Sequence, residues 1–236
     1  VILVGGLGTR LGRLTDKVPK PMLPIDGRPF LDYQLSFLNQ SGVTDVVMCV
    51  GHLAEVVQAR YGVAAPFGMH VVFSHEPSPA GTGGALVLAR SHLAETFFVL
   101  NGDTILDLDL LGLEAALAED TSMLGAIALR QVPNAEGYGR VSTEAKRVTG
   151  FAEKTSGGPG LINGGVYCLK TSALDLLPPP PCSLERDLFP ILAGKGQLLG
   201  KNCNGYFIDI GLPETLARAA KELPVWINSR AGRFVK

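Results

Sequence analysis

The chain of 236 residues is 46% hydrophobic and 18% charged, a balance that excludes a disordered protein and fits one large α/β domain with a substantial core. Its formal net charge of -1 excludes general attraction to nucleic acid or to an acidic membrane surface, so any positive site must be local. No apolar run reaches the roughly 20 residues of a membrane span and no signal peptide is legible, which predicts a cytoplasmic protein with no membrane or nucleic-acid partner.

Residues 1–25, VILVGGLGTRLGRLTDKVPKPMLPI, open with four apolar residues that read as a buried parallel strand. Gly5, Gly6 and Gly8 follow, then Thr9 and Arg10, and Lys20 stands between two prolines. Glycines after a strand let backbone N–H groups approach a ligand, and an Arg and a Lys nearby add fixed positive charge. The stretch suits a polyphosphate.

A helix is predicted over 29–40, a second strand over 45–50, a helix over 53–61 and a third strand over 70–74. A helix entered through glycines follows over 81–90, then a fourth strand over 96–100. Strand and helix alternate as right-handed βαβ crossovers require. Further on, 121–130, 140–153 and 161–169 read as strands, and 172–177 and 183–193 as helices. A strand over 206–210 and a helix over 213–223 close the domain, leaving 224–236 as a tail or linker. Cys49, Cys168, Cys182 and Cys203 lack C-x-x-C spacing and read as incidental thiols of a reducing compartment. The four histidines, His52, His70, His75 and His92, lack zinc-ligand spacing.

Two familiar phosphate motifs fail on the opening loop. No G-x-x-x-x-G-K-[ST] string occurs, and Leu11 stands where a dinucleotide fingerprint needs its third glycine. What remains is G-G-x-G-T-R-L at residues 5–11 and P-K-P-M at 19–22. Glu76 with G-T-G-G-A at 81–85, N-G-D at 101–103, Tyr138-Gly139, Glu153-Lys154, N-G-G-V-Y at 163–167 and F-I-D-I-G at 207–211 follow in order. With these motifs the chain resembles the sugar-nucleotide pyrophosphorylases, or nucleotidyltransferases, over most of its length.

The resemblance implies a Rossmann-like, mostly parallel central sheet flanked by helices, in a single domain over 1–223. Its nucleotide-binding half would be 1–120 and its sugar-phosphate-binding half 121–223. It further implies a nucleotide site of Leu3, Gly5, Gly6, Gly8, Thr9, Glu76, Gly81, Thr82 and Gly102. A sugar-phosphate site of Gly139, Glu153, Lys154, Asn163 and Gly164 is implied with it. Asp103 sits just past the fourth strand, at the end where open α/β sheets place ligands. Alone, Asp103 and Asp209 each read first as a helix cap or loop residue. Beside a phosphate loop, an acid needs a cation between it and the phosphates, and the resemblance makes these two the Mg²⁺ carboxylates. Glu185, Arg186 and Asp187 open a predicted helix, where acids favour the N-terminal end; for Glu185 a ligand contact stays equally open.

The reaction so implied is nucleotidyl transfer from a nucleoside triphosphate to a sugar 1-phosphate, with release of pyrophosphate. Arg10, Lys20, Asp103, Lys154 and Asp209 would be the catalytic residues. The subfamily resembled most acts with GTP on D-glycero-α-D-manno-heptose 1-phosphate. Mannose-1-phosphate guanylyltransferases and N-acetylmuramate 1-phosphate uridylyltransferases are the alternatives within the class. A non-catalytic sugar-nucleotide sensor is the alternative outside it, and retention of all five charged residues argues against it. A homo-oligomer and a fusion to another pathway enzyme both stay open.

Overall fold

The computed structural model describes residues 1–6, 8–63, 66–152 and 157–231. The first half comprises β1 (Ile2–Leu3), β2 (Pro24–Ile25), β3 (Arg28–Pro29), α1 (Phe30–Gln40), β4 (Asp45–Val50), α2 (Ala54–Tyr61), β5 (His70–His75), α3 (Gly81–Leu88), β6 (Thr96–Asn101) and β7 (Thr104–Leu106). Then come α4 (Leu110–Ala118), β8 (Gly125–Val132), β9 (Arg140–Glu144), β10 (Arg147–Ala152), β11 (Gly160–Lys170), α5 (Phe189–Gly194), β12 (Leu198–Asn202), β13 (Phe207–Asp209) and α6 (Pro213–Ala231). These elements form an α/β fold with a central sheet and flanking helices, as the resemblance implies, but the sheet is mixed rather than mostly parallel. They divide into two compact units, one of residues 1–79, 101–105 and 208–236, the other of 80–100 and 106–207.

The first unit is built on three parallel strands in the order β5-β4-β1, with Ile2 opposite Met48 and Asp45 opposite His70. On the two inner strands Ile2, Val4, Val46 and Met48 are buried, while Val71, Val72 and Phe73 of β5 are half-buried. Helix α1 begins one residue after Pro29, and nine of its eleven residues are buried. Helix α6 packs on it through Trp226, whose ring lies 6.1 Å from that of Phe37.

Here the sequence reading falls short. It ends the helix at Leu223 because Pro224 follows, but α6 runs through that proline to Ala231. An interior proline costs about 3 kcal/mol. Ala219, Leu223, Trp226 and Ile227 recur on one face and are all buried, which at about 1.5–3 kcal/mol per large apolar side chain outweighs the break.

The second unit carries six strands in the order β6-β11-β8-β12-β10-β9. Only β8 and β12 run parallel; the other neighbours are antiparallel. The stretch 140–153 is not one strand but the hairpin β9–β10, turning at Ala145 with φ 52°. No Asn-Gly or Asp-Gly announces that turn, so sequence gave it no signal. Helix α4 and strand β12 were also unannounced. In LLGLEAALA the buried stripe of Leu110, Leu113 and Leu117 is blurred by Leu111 and the alanines, and LLGKN is short with a glycine inside.

None of the four cysteines forms a disulfide, all are buried, and burial pushes the Cys49 and Cys168 thiols up to about 12. None of the described helices is long and apolar enough to cross a membrane.

Candidate active site

In the first unit the chain leaves the sheet just past β1, where the Val4 N–H still donates to the Cys49 carbonyl at 2.8 Å. The carboxylate of Glu76 lies so close to Gly5 that a Cβ there would overlap it. Gly8 has φ +65°, the left-handed region, and a Cβ on it would press on Thr15 at 2.9 Å. The Thr15 hydroxyl closes this loop on itself by donating to the carbonyls of Gly8 at 3.2 Å and Gly12 at 3.1 Å. Gly6, Thr9 and Arg10 are left exposed. The loop is therefore a shaped backbone with an exposed cationic side chain at its rim, as an anion site requires.

Asp103 and Asp209 meet beside it. Gly102 precedes Asp103 in a turn so close to β1 that its N–H donates to the Leu3 carbonyl at 3.0 Å, and any Cβ would strike that carbonyl. Thr104 bridges the two acids, its hydroxyl 3.1 Å from Asp103 Oδ1 and 3.4 Å from Asp209 Oδ2. Lys20 Nζ pairs with Asp103 Oδ2 at 2.8 Å and is largely buried. The Gly211 N–H donates to Asp209 Oδ1 at 2.6 Å. Burial first, and then the charge of Asp103, holds the Asp209 carboxyl above the ordinary Asp range. Gly211, Lys20 and Arg10 pull the other way. Two acids face each other, and one lysine does not neutralise both.

That donor set fits a divalent cation of the Mg²⁺ kind. Among the described residues no group of three or more His, Cys, Asp or Glu side chains is arranged for a metal. Mg²⁺ takes one or two carboxylates and completes its octahedron with phosphate and water oxygens, so a carboxylate pair beside a phosphate loop is sufficient.

In the second unit a cavity of about 570 Å³ is lined by Tyr138, Gly139, Phe151, Asn163, Glu185 and Arg186, among others. Two of the residues expected on the sugar side, Gly139 and Asn163, thus come together. Gly164 does not line the cavity: it packs so tightly on Leu106 and Ala128 that a side chain there would collide with both. Glu153 and Lys154 lie outside the described residues.

Gly81 and Thr82 belong to this unit, and the other residues expected to bind the nucleotide belong to the first. The Thr82 hydroxyl donates to Glu185 Oε2 at 2.8 Å and accepts from the Leu184 N–H at 2.9 Å. Ser183 Oγ also donates to Glu185 Oε2, at 2.8 Å. The Gly83 and Gly84 amides at the start of α3 are occupied by the Cys182 carbonyl. Ser183 caps the helical turn, its Oγ accepting from the Arg186 N–H at 3.3 Å, and Asp187 accepts from the Ser183 N–H at 2.7 Å. Glu185 lines the cavity. Asn163 donates to the Tyr167 hydroxyl at 2.9 Å, and the Gly165 N–H donates to Asn163 Oδ1 at 2.9 Å. Thr104 escaped the sequence reading: it adjoins the N-G-D motif but carries no distinctive spacing, while Tyr167 stood inside the N-G-G-V-Y motif without a role assigned to it.

Residues 1–224 match the family model described as nucleotidyl transferase. The chain is 35% identical to D-glycero-alpha-D-manno-heptose 1-phosphate guanylyltransferase of Aneurinibacillus thermoaerophilus, over 96% of this chain and 99% of that protein. It is 36% identical to mannose-1-phosphate guanyltransferase of Schizosaccharomyces pombe over 91% of its own length, but spans only 61% of that protein. Among solved structures, HddC from Yersinia pseudotuberculosis complexed with GMP-PN is similar with a TM-score of 0.82 and 32% identity, covering 94% of this chain and 97% of that one. With its glycine loop, its paired carboxylates and this match over nearly its whole length, the chain belongs to the nucleotidyl transferase family.

Proposed function

We propose that the protein is a sugar-1-phosphate guanylyltransferase that joins GTP and D-glycero-α-D-manno-heptose 1-phosphate into a GDP-heptose and pyrophosphate. The observation that carries the reaction class is the pair Asp103 and Asp209, bridged by Thr104 and flanked by Lys20 beside the glycine loop. Similarity along the whole length of the heptose enzyme supports the choice of substrates.

In this reading the backbone of residues 5–9 and the Arg10 guanidinium bind the triphosphate. Asp103 and Asp209 hold Mg²⁺, which when bound offsets phosphate charge at the reacting centre. One oxygen of the sugar phosphate attacks the α-phosphorus, and the bond from that phosphorus to the pyrophosphate oxygen breaks in line. The attacking phosphate is already ionised at neutral pH, so no general base is required. Lys20 and, by resemblance, Lys154 hold the two phosphates together against their repulsion, and Arg10 stabilises the departing pyrophosphate. Catalysis is then positioning plus charge neutralisation. Asn163, Glu185 and Arg186 supply the hydrogen-bonding groups for sugar hydroxyls, with Tyr138 and Phe151 as apolar walls.

A second reading, with mannose 1-phosphate as acceptor, is favoured by the 36% identity to the yeast guanyltransferase. Pyrophosphate release from GTP, UTP, dTTP, CTP and ATP, each with heptose, mannose and N-acetylmuramate 1-phosphates, tests both. GTP with the heptose 1-phosphate should give the highest kcat/KM. Binding of a GDP-sugar without metal-dependent turnover on any pair would overturn the enzymatic reading.

A further inference from the structure

The turn over residues 101–104, which carries Asp103, is anchored at four backbone atoms. The Gly102 N–H donates to the Leu3 carbonyl at 3.0 Å, and the Asp103 carbonyl accepts from the Ile210 N–H at 2.9 Å. The other two anchors come from one side chain. Gln34 Nε2 donates to the Asn101 carbonyl and to the Thr104 carbonyl, 2.8 Å each, and so pinches the two ends of the turn together.

Gln34 sits fully buried in α1, between the equally buried Leu31, Leu35 and Leu38. A leucine would serve the packing of that helix as well. What an amide adds is two N–H donors, and it adds them with a penalty, because Gln34 Oε1 is buried without a partner among the described residues. A buried polar group that satisfies the ends of one turn, while leaving its own acceptor orphaned, marks a constraint other than stability.

That constraint follows from the charges. Before any cation binds, Asp103 and Asp209 repel each other, and the turn bearing Asp103 would relieve the repulsion by swinging away. Neutral donors on the two flanking carbonyls oppose that motion without adding charge at the site. We infer that Gln34 is a positioning residue: it holds the 101–104 turn so that the Asp103 carboxylate stays beside that of Asp209, preorganised for the divalent cation. It acts through Asp103 and touches neither substrate. This rests on the metal-dependent reading above.

The test compares the wild type with Gln34→Met, which keeps volume and removes both donors, and with Asp103→Asn. Mn²⁺ binding is followed by water-proton relaxation without nucleotide, alongside metal-free melting temperature and the metal dependence of turnover. Gln34→Met should weaken Mn²⁺ binding by about tenfold, as loss of a ligand-orienting partner does, and raise the metal concentration for half-maximal turnover in parallel. Its KM for the sugar phosphate at saturating metal should be unchanged. A variant that melts earlier yet binds Mn²⁺ as the wild type does would overturn the inference and leave Gln34 a packing residue. Should Gln34→Met not fold, Gln34→Asn, one methylene too short to reach both carbonyls, is read on the same binding curve. Equal Mn²⁺ binding by wild type and Asp103→Asn would instead overturn the metal reading itself, and the inference with it.

Discussion

The backbone N–H of Ile210 donates to the carbonyl of Asp103 at 2.9 Å, so the residue following one acid of the site is tied to the main chain of the other. Neither Asp103 nor Asp209 can move far without disturbing its partner. The pair behaves as one structural object, and its chemistry should be read in the same way.

Removing either charge separates function from stability. Asp209 binds its proton more tightly folded than unfolded, because its carboxyl is held above the ordinary Asp range by burial and by Asp103. Ionised Asp209 therefore opposes folding; the opposition is full above the raised folded-state value and fades as pH falls through it toward the ordinary Asp value. Metal-free Asp209→Asn should melt above the wild type at neutral pH, with the difference shrinking as pH falls toward about 4. Both Asp209→Asn and Asp103→Asn should lose roughly a hundredfold or more in turnover, the scale of a lost charge-stabilising group. Calorimetry across pH and steady-state pyrophosphate release check the two halves, and near-normal turnover in either variant would sink the metal assignment.

Gly102 tests the approach of the turn to β1. Alanine there would drive a methyl into the Leu3 carbonyl, a backbone atom that cannot rotate aside, with Pro21 Cγ only 3.0 Å away on the other side. Gly102→Ala should cost about 1–3 kcal/mol of stability, the usual price of overpacking. It should also lower Mn²⁺ affinity, since the displaced turn carries Asp103. Urea denaturation and the Mn²⁺ titration measure both, and unchanged values would mean that the turn yields freely.

Thr82 is expected to matter through Glu185. Its hydroxyl serves the Leu184 N–H and Glu185 Oε2 at once, so Thr82→Val, nearly the same shape, removes both bonds. A loss of about 1–3 kcal/mol is expected for the polar groups left behind. If Glu185 reads sugar hydroxyls, the KM for the sugar phosphate should rise while that for GTP holds. A rise in the GTP KM alone would return Thr82 to the nucleotide side.

The cysteines should be silent. With the Cys49 and Cys168 thiols pushed up to about 12, roughly one in ten thousand is ionised at pH 8, against a substantial fraction in the unfolded chain. A thiol-specific chromogenic reagent should titrate neither thiol in the native protein and all four after guanidinium is added. Rapid native labelling of Cys49 or Cys168 would contradict the burial.

The early strands of the fold were legible because they announce themselves. DVVMCV, HVVFSH and TFFVLN are short apolar runs bounded by turn residues, and each falls within one residue of the prediction. The acids were legible by position, at the ends of TFFVLN and FID. Gln34 was not: inside FLDYQLSFLNQ it is one polar residue in a helix, and nothing local says that it faces a turn 67 residues away. Glu185 was half legible, since an acid at a helix start has a sufficient local explanation, and nothing local says that it lines a cavity and meets Thr82, 103 residues away. Trp226 was misplaced by its neighbour Pro224, whose local rule tertiary packing overrode.

The division of the chain has a consequence for how the protein is made. It crosses between the units at 79/80, 100/101, 105/106 and 207/208, and the five residues 101–105 reach the first unit as an island between two stretches of the second. A ribosome therefore delivers the glycine loop early, Asp103 midway and Asp209 with α6 last. The second unit is complete before the first can close, and the carboxylate pair exists only once some two hundred residues of chain have emerged. No single cut frees the first unit as one contiguous fragment, so the unit that carries the carboxylate pair has no excisable form.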